Sequence, residues 1–126
     1  PGFDYTIKIC GTTNTSSCDE SAGTFTIAPI VITSPNGGDN IANSYSYTIT
    51  WEEYIDNSYV KIDLYKGGVF QSTIKSSTYA PTESYTWPVS SIGAVTPGSD
   101  YKIKICNTTF GQTSECGESA NNFTIY

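Results

Sequence analysis

Residues 97–106 read PGSDYKIKIC, and residues 1–10 read PGFDYTIKIC. In the later stretch Tyr101, Ile103 and Ile105 fall on one side of an extended chain, with Lys102 and Lys104 on the other, which is the two-residue period of a half-buried strand. The residues after each copy repeat as well. A second cysteine, Glu-Ser-Ala and Phe-Thr-Ile come after both, and only the loop between the cysteines changes length, by two residues. The copies lie roughly one hundred residues apart, about the length of one domain. Repetition at that spacing predicts two parts: residues 1–29 as the closing hairpin of one unit, and residues 30–126 as a complete unit.

Strand signals fill the second part. IVITS is a short apolar strand ended by the turn PNGG. In YSYTITW, Tyr45, Tyr47, Ile49 and Trp51 share a face opposite Ser46, Thr48 and Thr50. VKIDLY puts Val60, Ile62 and Leu64 inward with Lys61 and Asp63 outward, and KGG turns the chain into VFQSTI. SYTWPV, YKIKIC and NFTIY come next, the last closing the unit through Phe123 and Ile125. About seven strands without a helical period predict an all-β chain. Since a one-sided apolar sheet needs a second sheet over it, the expected fold is an immunoglobulin- or fibronectin III-like β-sandwich. Each large inward side chain stabilises it by roughly 1.5 to 3 kcal/mol.

The opening hairpin does not satisfy itself. Phe3, Tyr5, Ile7, Ile9, Phe25 and Ile27 would line an uncovered apolar face, and an isolated hairpin is marginal in water. These residues are the expected inter-unit contact, made either with a preceding domain of the same polypeptide or with a neighbouring subunit. Only Ala28 and Pro29 separate Ile27 from Ile30, a linker short and stiff enough to make a rod or filament.

Composition narrows the setting. The chain has 126 residues, a net charge of -6, no histidine and six lysines in place of any arginine. Nucleic-acid binding is not expected from that balance, and no apolar run of ~20 residues spans a bilayer. Four cysteines in a small domain read as two disulfides and an exported chain, extracellular or at the cell surface. They allow three pairings, of which the repeat makes Cys10 with Cys18 and Cys106 with Cys116 the economical one, each adding about 2 to 3 kcal/mol. No signal segment opens the chain, so a mature or partial sequence is expected.

Taken in order, ITSPNGGDN, YTITW, VKIDLYKGG, SYTWPV, PGSDYKIKI and FTI resemble the Ser/Thr-rich extracellular repeat of glycosylphosphatidylinositol-anchored fungal cell-wall proteins. That repeat also occurs in tandem on prokaryotic surface proteins. The similarity covers residues 30–126, and residues 1–29 match its last third. It implies a fibronectin- or immunoglobulin-like fold with a structural, wall-associated role. The paired cysteines depart from the pattern, and no anchor signal is read at the end, so lipid attachment is not carried over.

Asn14, Asn107 and Asn122 each open an N-glycosylation acceptor pattern. Exposed Ser and Thr add O-linked sugars to the expected covalent glycans. Asp39, Asp56, Asp63 and Asp100 have the oxygen chemistry of a calcium site but no spaced ligand motif, so solvated surface acids are the expectation and no metal is assigned. Glu52 and Glu53 are adjacent and point to opposite faces, which rules out a paired acid and base. Without histidine, and with its cysteines in bridges, the chain lacks the usual base and nucleophile and is expected not to be an enzyme. Tyr54, Tyr59, Tyr65 and Tyr79, near strand ends or turns, are candidates for a sugar-stacking platform, with capping of the core as the plainer alternative. The leading expectation is a structural subunit of a glycosylated filament or surface stalk, partnered by copies of itself head to tail. The alternative is a carbohydrate-binding or adhesive module partnered by cell-wall glycans.

Overall fold

Alternating apolar and polar residues, broken by short Gly, Pro and Asn turns, bury their rings best when two sheets meet face to face. A computed structural model shows that arrangement and describes residues 2–12, 17–22, 25–27, 29–55, 58–109 and 115–126. The opening segment forms β1 (Gly2–Tyr5), β2 (Lys8–Cys10), β3 (Cys18–Glu20) and β4 (Phe25–Ile27). Then come β5 (Ile30–Ser34), β6 (Asn40–Ile41), β7 (Ser46–Glu53), β8 (Tyr59–Lys66) and β9 (Val69–Tyr79). The chain finishes with β10 (Ser84–Pro88), β11 (Gly98–Asn107), β12 (Cys116–Glu118) and β13 (Phe123–Ile125).

One sheet has the order β10-β7-β5, and the other runs β6-β13-β11-β8-β9 with β12 also paired to β11. The β6–β13 pair is parallel, whereas the other ladders are antiparallel. Between β5 and β6 the chain leaves the first sheet for the second through residues 35–38. Gly37 and Gly38 take positive φ there, and Asp39 accepts from the Asn36 and Gly37 amides and from the Tyr47 hydroxyl. Asp39 thus fastens the crossover to β7.

The core lies between the sheets. Ile30, Ile32, Ile49, Trp51 and Trp87 face Val60, Ile62, Leu64, Tyr101, Ile103, Ile105, Phe123 and Ile125, none more than 2% exposed. Trp51 donates its indole N–H to the Ala80 carbonyl at 3.0 Å, while that of Trp87 has no acceptor among the described residues. The Tyr101 hydroxyl donates back to the Thr96 carbonyl, the corner found at the start of this strand in immunoglobulin-like sandwiches. The molecule is therefore all-β and immunoglobulin-like.

Each of the seven expected segments is a strand, with two differences in detail. Tyr45 precedes β7 and is 73% exposed, because it sits in the turn after Ala42 rather than on the inner face with Ile49. Asp63 points to the outer face as expected, yet it is only 2% exposed. Thr73 donates to it at 2.9 Å and Lys61 lies 3.0 Å away, so neighbouring strands cover what alternation alone would leave in water.

Candidate functional site

The repeat seen in the sequence is also a repeat of hydrogen-bond register. In the complete unit β11 pairs Gly98 with Ile125 and Tyr101 with Phe123, then Lys104 with Glu118, Ile105 with Gly117 and Cys106 with Cys116. The opening hairpin pairs Gly2 with Ile27, Tyr5 with Phe25, Lys8 with Glu20, Ile9 with Asp19 and Cys10 with Cys18. A serine braces the gap in both. Ser119 Oγ accepts from the Ile103 amide at 3.0 Å, and Ser21 Oγ accepts from the Ile7 amide at 3.2 Å. Both cystines, Cys10–Cys18 and Cys106–Cys116, have a Cα separation of 4.0 Å.

Surroundings, not local geometry, distinguish the copies. Ile103 and Ile105 are fully buried, whereas Ile7 and Ile9 are 58% and 71% exposed. Among the described residues β1 pairs with β4 and β2 with β3, apart from either sheet of the sandwich. Tyr5 is half-buried, and the side chains of Phe3, Phe25 and Ile27 lie outside the described set. Of the positions at which the copies differ, one bears on packing: Asp19 stands where the unit has Gly117. A Cβ on Gly117 would lie 2.3 Å from the Ile30 carbonyl oxygen, so glycine lets β5 start against β12.

That close approach locates the junction. The Pro29 carbonyl accepts from the Tyr54 amide at 2.9 Å, and Ile30 pairs with Glu53. The chain therefore comes in beside the Cys106–Cys116 loop. Ile125 of β13 pairs with Gly98 at the start of β11, whereas Gly117, against Ile30, pairs with Ile105 near its end, so Ile30 and Ile125 lie toward opposite ends of β11.

The glycan acceptors separate. Asn14 lies outside the described residues. Asn107 is buried; its Nδ2, the atom a glycan would take, donates to Glu115 at 2.6 Å, and its Oδ1 accepts from the Thr109 amide. Thr109 Oγ1 in turn accepts from the Tyr59 amide at 2.8 Å. Hence the Asn-Thr-Thr triplet clasps the end of β11 to the start of β8, and a sugar at Asn107 would have to displace Glu115. Asn122 is exposed just before buried Phe123.

The acids are dispersed in the same way. Asp39 caps its turn, Asp63 meets Lys61 and Thr73, and Asp100 meets Lys66 at 2.6 Å, a hydrogen bond that holds the Asp100 carboxyl below the usual carboxylate range. Asp56 lies outside the described residues, and among those described no group of three or more metal-ligating side chains occurs. Glu52 accepts from the Tyr54 hydroxyl, which raises the Tyr54 phenol, and Glu53 accepts from the Ile55 amide. Of the four candidate tyrosines, Tyr59 and Tyr79 meet with ring centroids 5.5 Å apart. Tyr65 instead meets Phe70, at 5.9 Å, and Tyr54 lies apart from both pairs, near the junction. Phe70 is legible in the sequence only as part of a strand, since its register opposite Tyr65 depends on irregular pairing in β9.

Residues 34–125 match the family model described as the Kre9/KNH-like N-terminal Ig-like domain. The matched span leaves out the opening hairpin. No curated protein and no solved structure matches the chain. No helix among the described residues is long and apolar enough to cross a membrane.

Proposed function

The chain belongs to the family of Kre9/KNH-like N-terminal Ig-like domains, cell-wall-associated modules, and on that premise we propose that it is a structural segment of a wall protein in which such units follow one another head to tail. The hairpin of residues 2–27 is the closing pair of strands of the unit before. One observation carries this reading: the hairpin reproduces the register, cystine and serine brace of β11–β13, yet exposes isoleucines whose counterparts are buried. Exposing such apolar surface is unfavourable, so a sheet pair equivalent to β5–β10 should cover it. Residues 30–126 already contain β11–β13 and leave no vacancy for the hairpin of a second copy. A preceding unit of the same polypeptide therefore fits better than assembly from separate subunits. The role is mechanical rather than catalytic, the cysteines being held in disulfides and histidine being absent.

The test supplies the missing strands. A second copy of residues 30–96 is fused ahead of Pro1, with Asp19→Gly to admit the incoming strand. Amides of Ile7 and Ile9 are expected to gain hydrogen-exchange protection comparable to Ile103 and Ile105. If they exchange as fast as in the parent chain, the hairpin does not belong to such a unit.

A further inference from the structure

We propose that the outer face of β8 and β9 binds a neutral polysaccharide chain, gripped at one end by Tyr59 with Tyr79 and at the other by Tyr65 with Phe70. Because Val60, Ile62 and Leu64 point into the core, residues 59, 61, 63 and 65 share the outer face. Tyr59 stands directly opposite Tyr79, and Tyr65 opposite Phe70. Tyr59 and Phe70 remain about half exposed, at 50% and 51%, although their strands are held in the ladder. The two aromatic pairs are six residues apart along β8, a span of about 20 Å, enough for several sugar rings in a row.

The surface between them suits hydroxyl groups better than charge. Lys61 is paired with Asp63, Lys102 approaches Glu118 at 3.8 Å, and Lys104 lies over the Tyr65 ring at 5.6 Å. The face therefore offers donors and acceptors side by side with little net charge. A polymer whose hydroxyls both donate and accept, and whose C–H faces pack on aromatic rings, matches that pattern. The other sheet differs: its outward residues on β7 and β10, such as Thr48, Thr50, Ser84 and Thr86, carry hydroxyls without rings. A cell-wall setting surrounds the domain with polysaccharide. This site lies within one unit and stands or falls independently of how units are joined.

Affinity electrophoresis of the full chain tests it, with soluble linear β-glucan and mannan as neutral polymers and polygalacturonate as the anionic one. A neutral polymer is expected to retard the parent protein even in about 0.5 M salt, where electrostatic attraction is screened within a few ångströms. Tyr79→Ala and Phe70→Ala should each weaken retardation roughly three- to tenfold, with Tyr79→Phe retaining it and the melting curve confirming the fold. The proposal is overturned if neither neutral polymer retards the protein, if only polygalacturonate does so and salt abolishes it, or if the alanine variants bind like the parent. Self-association through Phe70 without polymer would overturn it too. Should a variant fail to fold, chemical-shift mapping on the parent decides: perturbations along β8 and β9 support the site, and perturbations elsewhere refute it.

Discussion

The two indoles of the core meet different partners. Trp51 gives its N–H to the Ala80 carbonyl, whereas Trp87 is fully buried with that donor unpaired among the described residues. Replacing either by phenylalanine removes similar volume, but only Trp51→Phe also removes a buried hydrogen bond, leaving the Ala80 carbonyl to the Glu83 amide alone. Trp51→Phe is therefore expected to cost about 0.5 to 1.5 kcal/mol more than Trp87→Phe, read from denaturant midpoints; equal losses would contradict this. Residue-scale roles such as these are the least legible in the sequence. Alternation assigns Asp63 to the outer face but is silent on Thr73 and Lys61, which cover it. Likewise Asn107-Thr-Thr reads as a glycan acceptor, and only the approach of Tyr59 and Glu115 reveals a clasp. Both depend on neighbours distant in the chain, which a local pattern does not contain.

Elements are easier to read, because a strand with one buried face writes its period into the sequence. β5, β8 and β11 alternate cleanly, and each lies where its pattern puts it. β6 and β12 do not announce themselves, since two or three residues are too few to display a period. β9 is legible only to Ile74. It continues to Tyr79 through register irregularities, with Lys75 exposed on it, features that discourage another strand from adding to this sheet edge. The cystines divide by element as well. Removing Cys106–Cys116, which spans a sequence separation of 10, through paired serine substitutions should lower the stability of the sandwich by about 2 to 3 kcal/mol. Removing Cys10–Cys18 should leave the sandwich midpoint unchanged, because β2 pairs with β3 alone among the described strands. Equal effects in calorimetry would mean that the hairpin packs on its own downstream unit.

At the scale of the whole molecule, the internal repeat of the sequence reappears as matching registers in the two hairpins. No local pattern reveals that Ile30 and Ile125 lie toward opposite ends of β11, or that β13 runs parallel to β6. Those neighbours are joined by Thr124 N–H to the Asp39 carbonyl, Tyr126 N–H to that of Ile41, and Asn43 N–H to that of Tyr126. Tension between the two ends of a unit would pull these strands lengthwise past each other, so their bonds must fail together rather than peel one by one. Single-molecule stretching should accordingly show an abrupt, high-force rupture, and a gradual low-force opening would refute it. In the head-to-tail arrangement proposed above, a wall swelling against internal pressure would find in each unit a fastener strongest along the direction of strain.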